Sequence, residues 1–319
     1  PAIIDGLLFI GVLLLGHLVL MLPFGIYSTF VIEEKFGFNK TTLNTFVADQ
    51  VKGLALLVVI GGPLLVGILG FFEHAGSLAW LYCWAVATLF TIGLQFVAPI
   101  WIMPMFNKFT PMESSELKDS ILKYIRSVDF TVDNILLMDG SKRSDKSNAF
   151  FTGFGRHKRI VLFDTLVEKH TNSELVAVLA HEIGHYKQGH IIQGLVISIL
   201  HAGFVFFLLS IFLDSPGLYD AFFMDQQSIY AGLLFFSLLY TPVELFLGTV
   251  IQGLSRKHEF DADRWAVETV DEPQSLATGL KRLSADNLSN LDPHPMYVFL
   301  NYSHPPLLQR LRAIDQVRS

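Results

Sequence analysis

The chain has 319 residues, 51% of them hydrophobic and 16% charged, with a formal net charge of -6 and a mean hydropathy of +0.46. That is too apolar for an ordinary soluble protein, and the acidic balance argues against a nucleic-acid partner. The single cysteine, Cys83, lies in an apolar run, which excludes a disulfide framework and a cysteine metal site. Length alone allows about two domains, a count that membrane spans change. No stretch reads as a cleavable signal peptide.

A bilayer's apolar core takes about 20 helical residues to cross. Five stretches are long enough, roughly Gly6–Val31, Gly53–Phe72, Leu78–Met103, Ile191–Leu213 and Ile229–Leu254. The second holds Gly61-Gly62-Pro63, a kink that membrane helices tolerate. Aromatic residues cluster at several span ends, as an interfacial belt requires. The expected organisation is three spans in 1–103, a polar region in 104–190, two spans in 191–254 and a second polar region in 255–319.

The loops set the topology. Lys35, Lys40 and Lys52 lie between the first two spans, and the turn 73–77 has no Lys or Arg. Twelve basic residues fall in 104–190, none in the acidic turn 214–228, and eight follow the last span. All 23 basic residues therefore sit on alternate loops, which predicts that both polar regions face the cytoplasm. The same parity places Pro1 outside and suggests a further span upstream of it.

Within 104–190, Glu113–Val128 reads as an amphipathic helix with Leu117, Ile121, Leu122 and Ile125 on one side. Ile135–Met138 and Arg159–Phe163 read as short strands, and Ser147–Gly153 as an edge strand between them. The basic run Lys142–Lys146 reads as a solvated loop near lipid headgroups.

The chemistry concentrates at His181-Glu182-Ile183-Gly184-His185, in a proline-free run of helix formers beginning at Ser173. On a helix, His181 and His185 share one face and can grip one metal ion. Glu182 lies beside them, where a carboxylate can take a proton from water held by the metal. The bland alternative is two histidines capping a surface helix, against which stand five residues of defined type. A histidine six residues past His185 would mark one protease class, but Gly189 and His190 fall one position off, so His190 reads as a polar helix-end residue.

Catalytic zinc takes three protein ligands and keeps one position open. The third candidate is Glu259, in Ser255-Arg-Lys-His-Glu-Phe-Asp-Ala-Asp263, which reads as an extension of the last membrane helix. Asp263 shares its face and can hold a ligand histidine through the other ring nitrogen. His258 and Asp261 remain as alternatives, and the carboxylates could instead be a solvated face paired with Arg256 or Arg264. The chain then runs from the HExxH helix almost directly into the fourth span. That predicts a site near the membrane surface or in a protein-lined cavity there.

The combination HEIGH, SRKHEFDAD and YSHPPLLQRL resembles the integral-membrane type I CAAX prenyl proteases, zinc metalloproteases of the endoplasmic reticulum with close bacterial relatives. FGFNKTTLNTF at Phe36–Phe46, FNKFTPM at Phe106–Met112, GSKRSDKSNAFFTGF at Gly140–Phe154 and KRIVLFDTL at Lys158–Leu166 extend it over nearly the whole chain. The resemblance implies a mainly α, polytopic membrane protein. Its helices would ring a water-filled chamber capped by a zinc-protease domain with a small β-sheet. It implies cleavage of prenylated C-terminal Cys-a-a-X substrates, with partners in the lipid bilayer and in prenylated or membrane-associated peptides. It makes His181, His185 and Glu259 the ligands of one Zn2+, Glu182 the base and Asp263 a support of the ligands. Asn148, His304 and Arg310 match positions that hold the substrate backbone or stabilise the intermediate. Two departures are visible. The family has seven membrane helices and only five spans appear here; the long acidic insertion of animal members is absent between Asp164 and His181.

Glu244, Gln95, His17 and His201 lie at membrane depth, where polar groups are costly unless they face protein or water; for His17 and Gln95 the alternative is bonding between neighbouring helices. Two other functions compete: a membrane quality-control protease, and a non-catalytic chamber that binds or moves lipids. The glutamate of the intact HExxH argues against the second.

Overall fold

The computed structural model describes residues 2–153 and 158–318. Pro1 and Phe154, named above for the topology and for the end of the GSKRSDKSNAFFTGF run, lie outside the described residues. All five expected spans are helices: α1 (Ala2–Glu33), α2 (Leu43–His74), α3 (Gly76–Phe106), α7 (His190–Leu213) and α9 (Ile229–Thr269). Between and beyond them lie β1 (Phe109–Pro111), α4 (Glu116–Ser127), β2 (Asn134–Met138), β3 (Ala149–Thr152), β4 (Arg159–Phe163), α5 (Asp164–Lys169), α6 (Asn172–Lys187) and α8 (Pro216–Asp220). The chain ends in α10 (Gln274–Asp286), α11 (Pro295–Asn301) and α12 (Leu307–Arg318).

The kink expected at Gly61-Gly62-Pro63 is a π-turn, Leu57–Gly61, inside a continuous helix, and a second π-turn, Ala98–Ile102, contains Pro99. Proline lacks an N–H and its ring clashes with the carbonyl four residues back; a widened turn relieves both. Helix α2 also begins earlier than its apolar run, at Leu43, where the Thr42 side chain accepts from the Thr45 N–H and caps the first turn.

The chain forms two compact units, Pro1–Leu94 with Leu195–Glu244, and Gln95–Gly194 with Leu245–Ser319. In the first, helices meet through small residues and aromatic rings. A Cβ on Gly6 would stand 3.1 Å from Leu69 and 3.3 Å from Tyr230. The Trp84 indole donates to the Ile199 carbonyl at 2.8 Å, giving its N–H the partner that apolar surroundings demand.

The second unit has a water-soluble type of core. Ile121 of α4, Leu166 of α5, Leu179 and Ile183 of α6, Leu276 of α10 and Ile314 of α12 are all buried in one cluster. The sheet runs β1-β2-β4-β3, with β2 and β4 parallel in the register Leu136↔Val161 and β3 antiparallel to β4 at the edge. The edge strand expected between the two apolar ones is therefore present. Strand β1 pairs antiparallel with β2 at the other edge, beyond the strands that the sequence predicts.

The run 142–146 departs from a solvated loop. Only Lys142 is exposed; Asp145 pairs with Lys169 at 2.6 Å, and the Lys146 carbonyl accepts from Thr165 at 3.0 Å. These bonds tie the run to α5. At its end, Ser147 exchanges two hydrogen bonds with Asn287.

Candidate metal centre

Helix α6 carries His181, Glu182 and His185. A reciprocal capping box sets its start: Thr171 accepts from the Glu174 N–H and the Glu174 carboxylate accepts from the Thr171 N–H. Leu175, Leu179 and Ile183 bury its other face. Lys158 lies over the Tyr186 ring at 4.1 Å and the Phe130 ring at 4.3 Å, so the residue beside His185 is clamped to the sheet.

Helix α9 supplies Glu259 and Asp263. It runs unbroken for 41 residues, about 60 Å at 1.5 Å per residue, so the last span does continue as the helix that carries both carboxylates. The two helices approach closely at Gly184, where an added Cβ would stand 3.1 Å from Trp265 and 3.2 Å from the Ala262 backbone. The glycine of HEIGH is thus what lets α6 and α9 bring their polar faces together.

His181 Nε2 and His185 Nε2 lie 3.2 Å apart, and Glu259 reaches them at 3.4 and 3.3 Å. Each of the three offers an atom within 4.8 Å of the others. Glu259 Oε2 is buried and has no hydrogen-bond partner. Lone pairs converging in this way, two on ring nitrogens and one on a buried carboxylate, fit a divalent metal with nitrogen and oxygen ligands. His258 and Asp261 are not part of the group.

Asp263 Oδ1 stands 2.9 Å from His181 Nδ1, and its other oxygen accepts from Arg310 Nε at 2.8 Å. Arg310 also contacts Glu259 at 3.4 Å, while Arg256 donates to the Val298 and Tyr302 carbonyls. The pairing of Glu259 and Asp263 with Arg256 therefore does not occur; both carboxylates turn inward to Arg310. Burial works against the Arg310 charge, but Asp263, Glu259 and Glu182 outweigh it and raise its pKa. Burial likewise opposes a charge on His181, and the carboxylates of Asp263 and Glu259 overcome it, pushing the ring up to about 9. A metal ligand must be a neutral imidazole, so metal and proton compete for this nitrogen.

Glu182, half-buried, opens onto the same cleft of about 220 Å³ as His181, His185, Glu259, Asn148, His304 and Arg310. His304 Nε2 is 3.2 Å from Glu259 Oε1 with its side chain 64% exposed. Asn148 is exposed beside edge strand β3, its side-chain oxygen accepting from the Ala149 N–H at 2.9 Å. Seven of the residues that the resemblance names, Asn148, His181, Glu182, His185, Glu259, His304 and Arg310, line this one cleft, and Asp263 stands behind it against His181 and Arg310.

His190 is a helix-end residue, as its place in the sequence predicts. It does begin α7, but it is buried, its Nδ1 lying 3.1 Å from His185 Nδ1 and its ring stacked on His258 at 4.0 Å. The available signal was Gly189, whose positive φ of 74° turns the chain between α6 and α7.

An HExxH helix packed on a Glu-xxx-Asp helix, in a chain with five helices apolar enough to cross a bilayer, defines a class: the membrane-embedded metallohydrolases. Comparison with known proteins agrees. The family model described as the CAAX prenyl protease N-terminal, five membrane helices, matches residues 1–108, and that of peptidase family M48 matches residues 111–318. CAAX prenyl protease 1 of Saccharomyces cerevisiae is 39% identical over 98% of this chain and 72% of its own length. The CAAX prenyl protease 1 homolog of Arabidopsis thaliana is 38% identical over 92% of this chain and 69% of its own length. The crystal structure of S. mikatae Ste24p is similar with a TM-score of 0.93 at 38% identity, covering 99% of this chain and 77% of that one. The chain belongs to the CAAX prenyl protease 1 family of M48 metallopeptidases. It is a multi-pass membrane metalloprotease.

Proposed function

We propose that this chain is a zinc endopeptidase that hydrolyses peptide bonds near the C-terminus of prenylated CAAX-type substrates. The observation that supports this most is the convergence of His181, His185 and Glu259 in one cleft with Glu182 beside them. The three are the zinc ligands in this reading, one ion per chain, and Asp263 holds His181 in the tautomer that leaves Nε2 free. Zinc, when bound, supplies Lewis acidity toward the scissile carbonyl and toward water. Glu182 accepts the proton of the attacking water and delivers it to the leaving nitrogen. His304 and Arg310 donate to the oxygen on which negative charge develops, and Asn148, next to edge strand β3, holds the substrate backbone.

The alternation of basic loops supports an orientation with 104–190 and 255–319, the parts that carry the site, on the cytoplasmic side. The spans in 1–103 and 191–254 then anchor it in the endoplasmic reticulum of a eukaryote or the inner membrane of a bacterium. In a Cys83→Ala background, an impermeant thiol reagent added outside should label Asp220→Cys and not Lys142→Cys. Substrate class is tested by cleavage of a farnesylated CAAX peptide against its unmodified twin. Preference for the farnesylated peptide is expected; equal rates on both point instead to a general membrane quality-control protease.

A further inference from the structure

We propose that His190 is a positioning residue for the metal centre, accepting a hydrogen bond from the Nδ1–H of His185 and so fixing that ring with Nε2 turned to the metal. The inference rests on the ligand assignment proposed above.

His185 Nε2 faces His181 and Glu259, which leaves Nδ1 on the far side of the ring, 3.1 Å from His190 Nδ1. A neutral imidazole has one N–H and one lone pair. With the lone pair of His185 at Nε2, its hydrogen is at Nδ1, and His190 must meet it with a lone pair. His190 then carries its own hydrogen on Nε2.

The acceptor is held rigidly. His190 is 8% exposed, its ring lies parallel to His258 within 9° at 4.0 Å, and His258 Nε2 is 3.0 Å from Gln193 Oε1. The turn through Gly189, with φ 74°, brings His190 back over the last turn of α6; a side chain at 189 would be strained there. The two ligand histidines are thus held by different chemistry. His181 has the carboxylate of Asp263, whereas His185 has a neutral ring. Such outer partners set tautomer and ring orientation, and losing one costs about 10- to 100-fold in metal affinity.

The test is metal affinity of the purified full chain, read by competition between Zn2+ and a chelating dye, together with the visible spectrum of the Co2+-loaded protein. His190→Phe keeps a ring to stack on His258 and removes the acceptor. His190→Asn offers a carbonyl oxygen near where Nδ1 stood. We expect His190→Phe to weaken Zn2+ binding by about 10- to 100-fold and to shift the Co2+ bands, and His190→Asn to restore most of both. Should His190→Phe not fold, His190→Leu against His190→Asn reads the same loss. An unchanged affinity and spectrum in His190→Phe overturns the proposal, as does a His190→Asn protein that falls as far as His190→Phe. Failure of the ligand assignment is distinguishable: wild-type protein would bind no Zn2+, or His185→Ala would bind it as tightly as wild type.

Discussion

Two histidine–carboxylate pairs invite comparison. In the membrane unit, His201 of α7 meets Glu244 of α9 at 3.0 Å, with side chains 27% and 49% exposed, and shares the Tyr240 hydroxyl. In the catalytic unit, His181 meets Asp263 at 2.9 Å, with side chains 9% and 2% exposed. The pair distances are nearly equal, and the consequences are not. Around His181 a second histidine, a second carboxylate and Arg310 converge, so each buried charge has a counter-charge and three donors face one point. His201 and Glu244 have one hydroxyl for company and no third ligand among the described residues. The difference teaches that pairing alone does not make a site; converging donors held by packing do.

The packing differs for the same reason. None of the most apolar 18-residue window of α1, nor that of α3, is buried within the chain, because lipid is the apolar medium these helices need. Helix α6 has no such medium and buries Leu179 and Ile183 against its own unit.

The comparison breaks most visibly at the ligands. His181→Ala with His185→Ala should remove bound zinc altogether and reduce peptide cleavage to background, read by metal analysis of the purified protein. Glu259→Ala should lower zinc affinity and turnover together, with part of the rate restored by excess Zn2+. Arg310→Ala comes next. It leaves the Asp263 carboxylate buried without its cation, a loss of about 3–5 kcal/mol, seen as a lower unfolding midpoint. The membrane pair should give the smallest effect. His201→Ala removes a contact in the membrane unit that no metal-site residue shares, and zinc content should stay at wild-type level. Loss of zinc in His201→Ala would erase the distinction drawn between the two pairs.

Much of this was legible in the chain. Long apolar runs name the spans because a bilayer fixes their length. The four-residue spacings His181–His185 and Glu259–Asp263 name two helical faces because a helix stacks such positions. What stayed hidden depends on pairing across the fold. Strand β1 is three residues ending in a proline and exists through its pairing with β2; alone it has no periodicity to read. The first turns of α2 carry Asn44, Asp49 and Lys52, so hydropathy passes over helix that the Thr42 cap and the following turns sustain. The contact of His190 with His185 is created by the turn at Gly189, and no spacing rule announces it.

The central claim is that Glu182 does the proton chemistry beside a metal it does not hold. Glu182→Ala should be purified, assayed for zinc per chain and tested on a farnesylated CAAX peptide in the same preparation. Wild-type zinc content with turnover lowered by about 100- to 10,000-fold is the predicted result. Full zinc with near-normal cleavage would contradict it, since the base would then lie elsewhere.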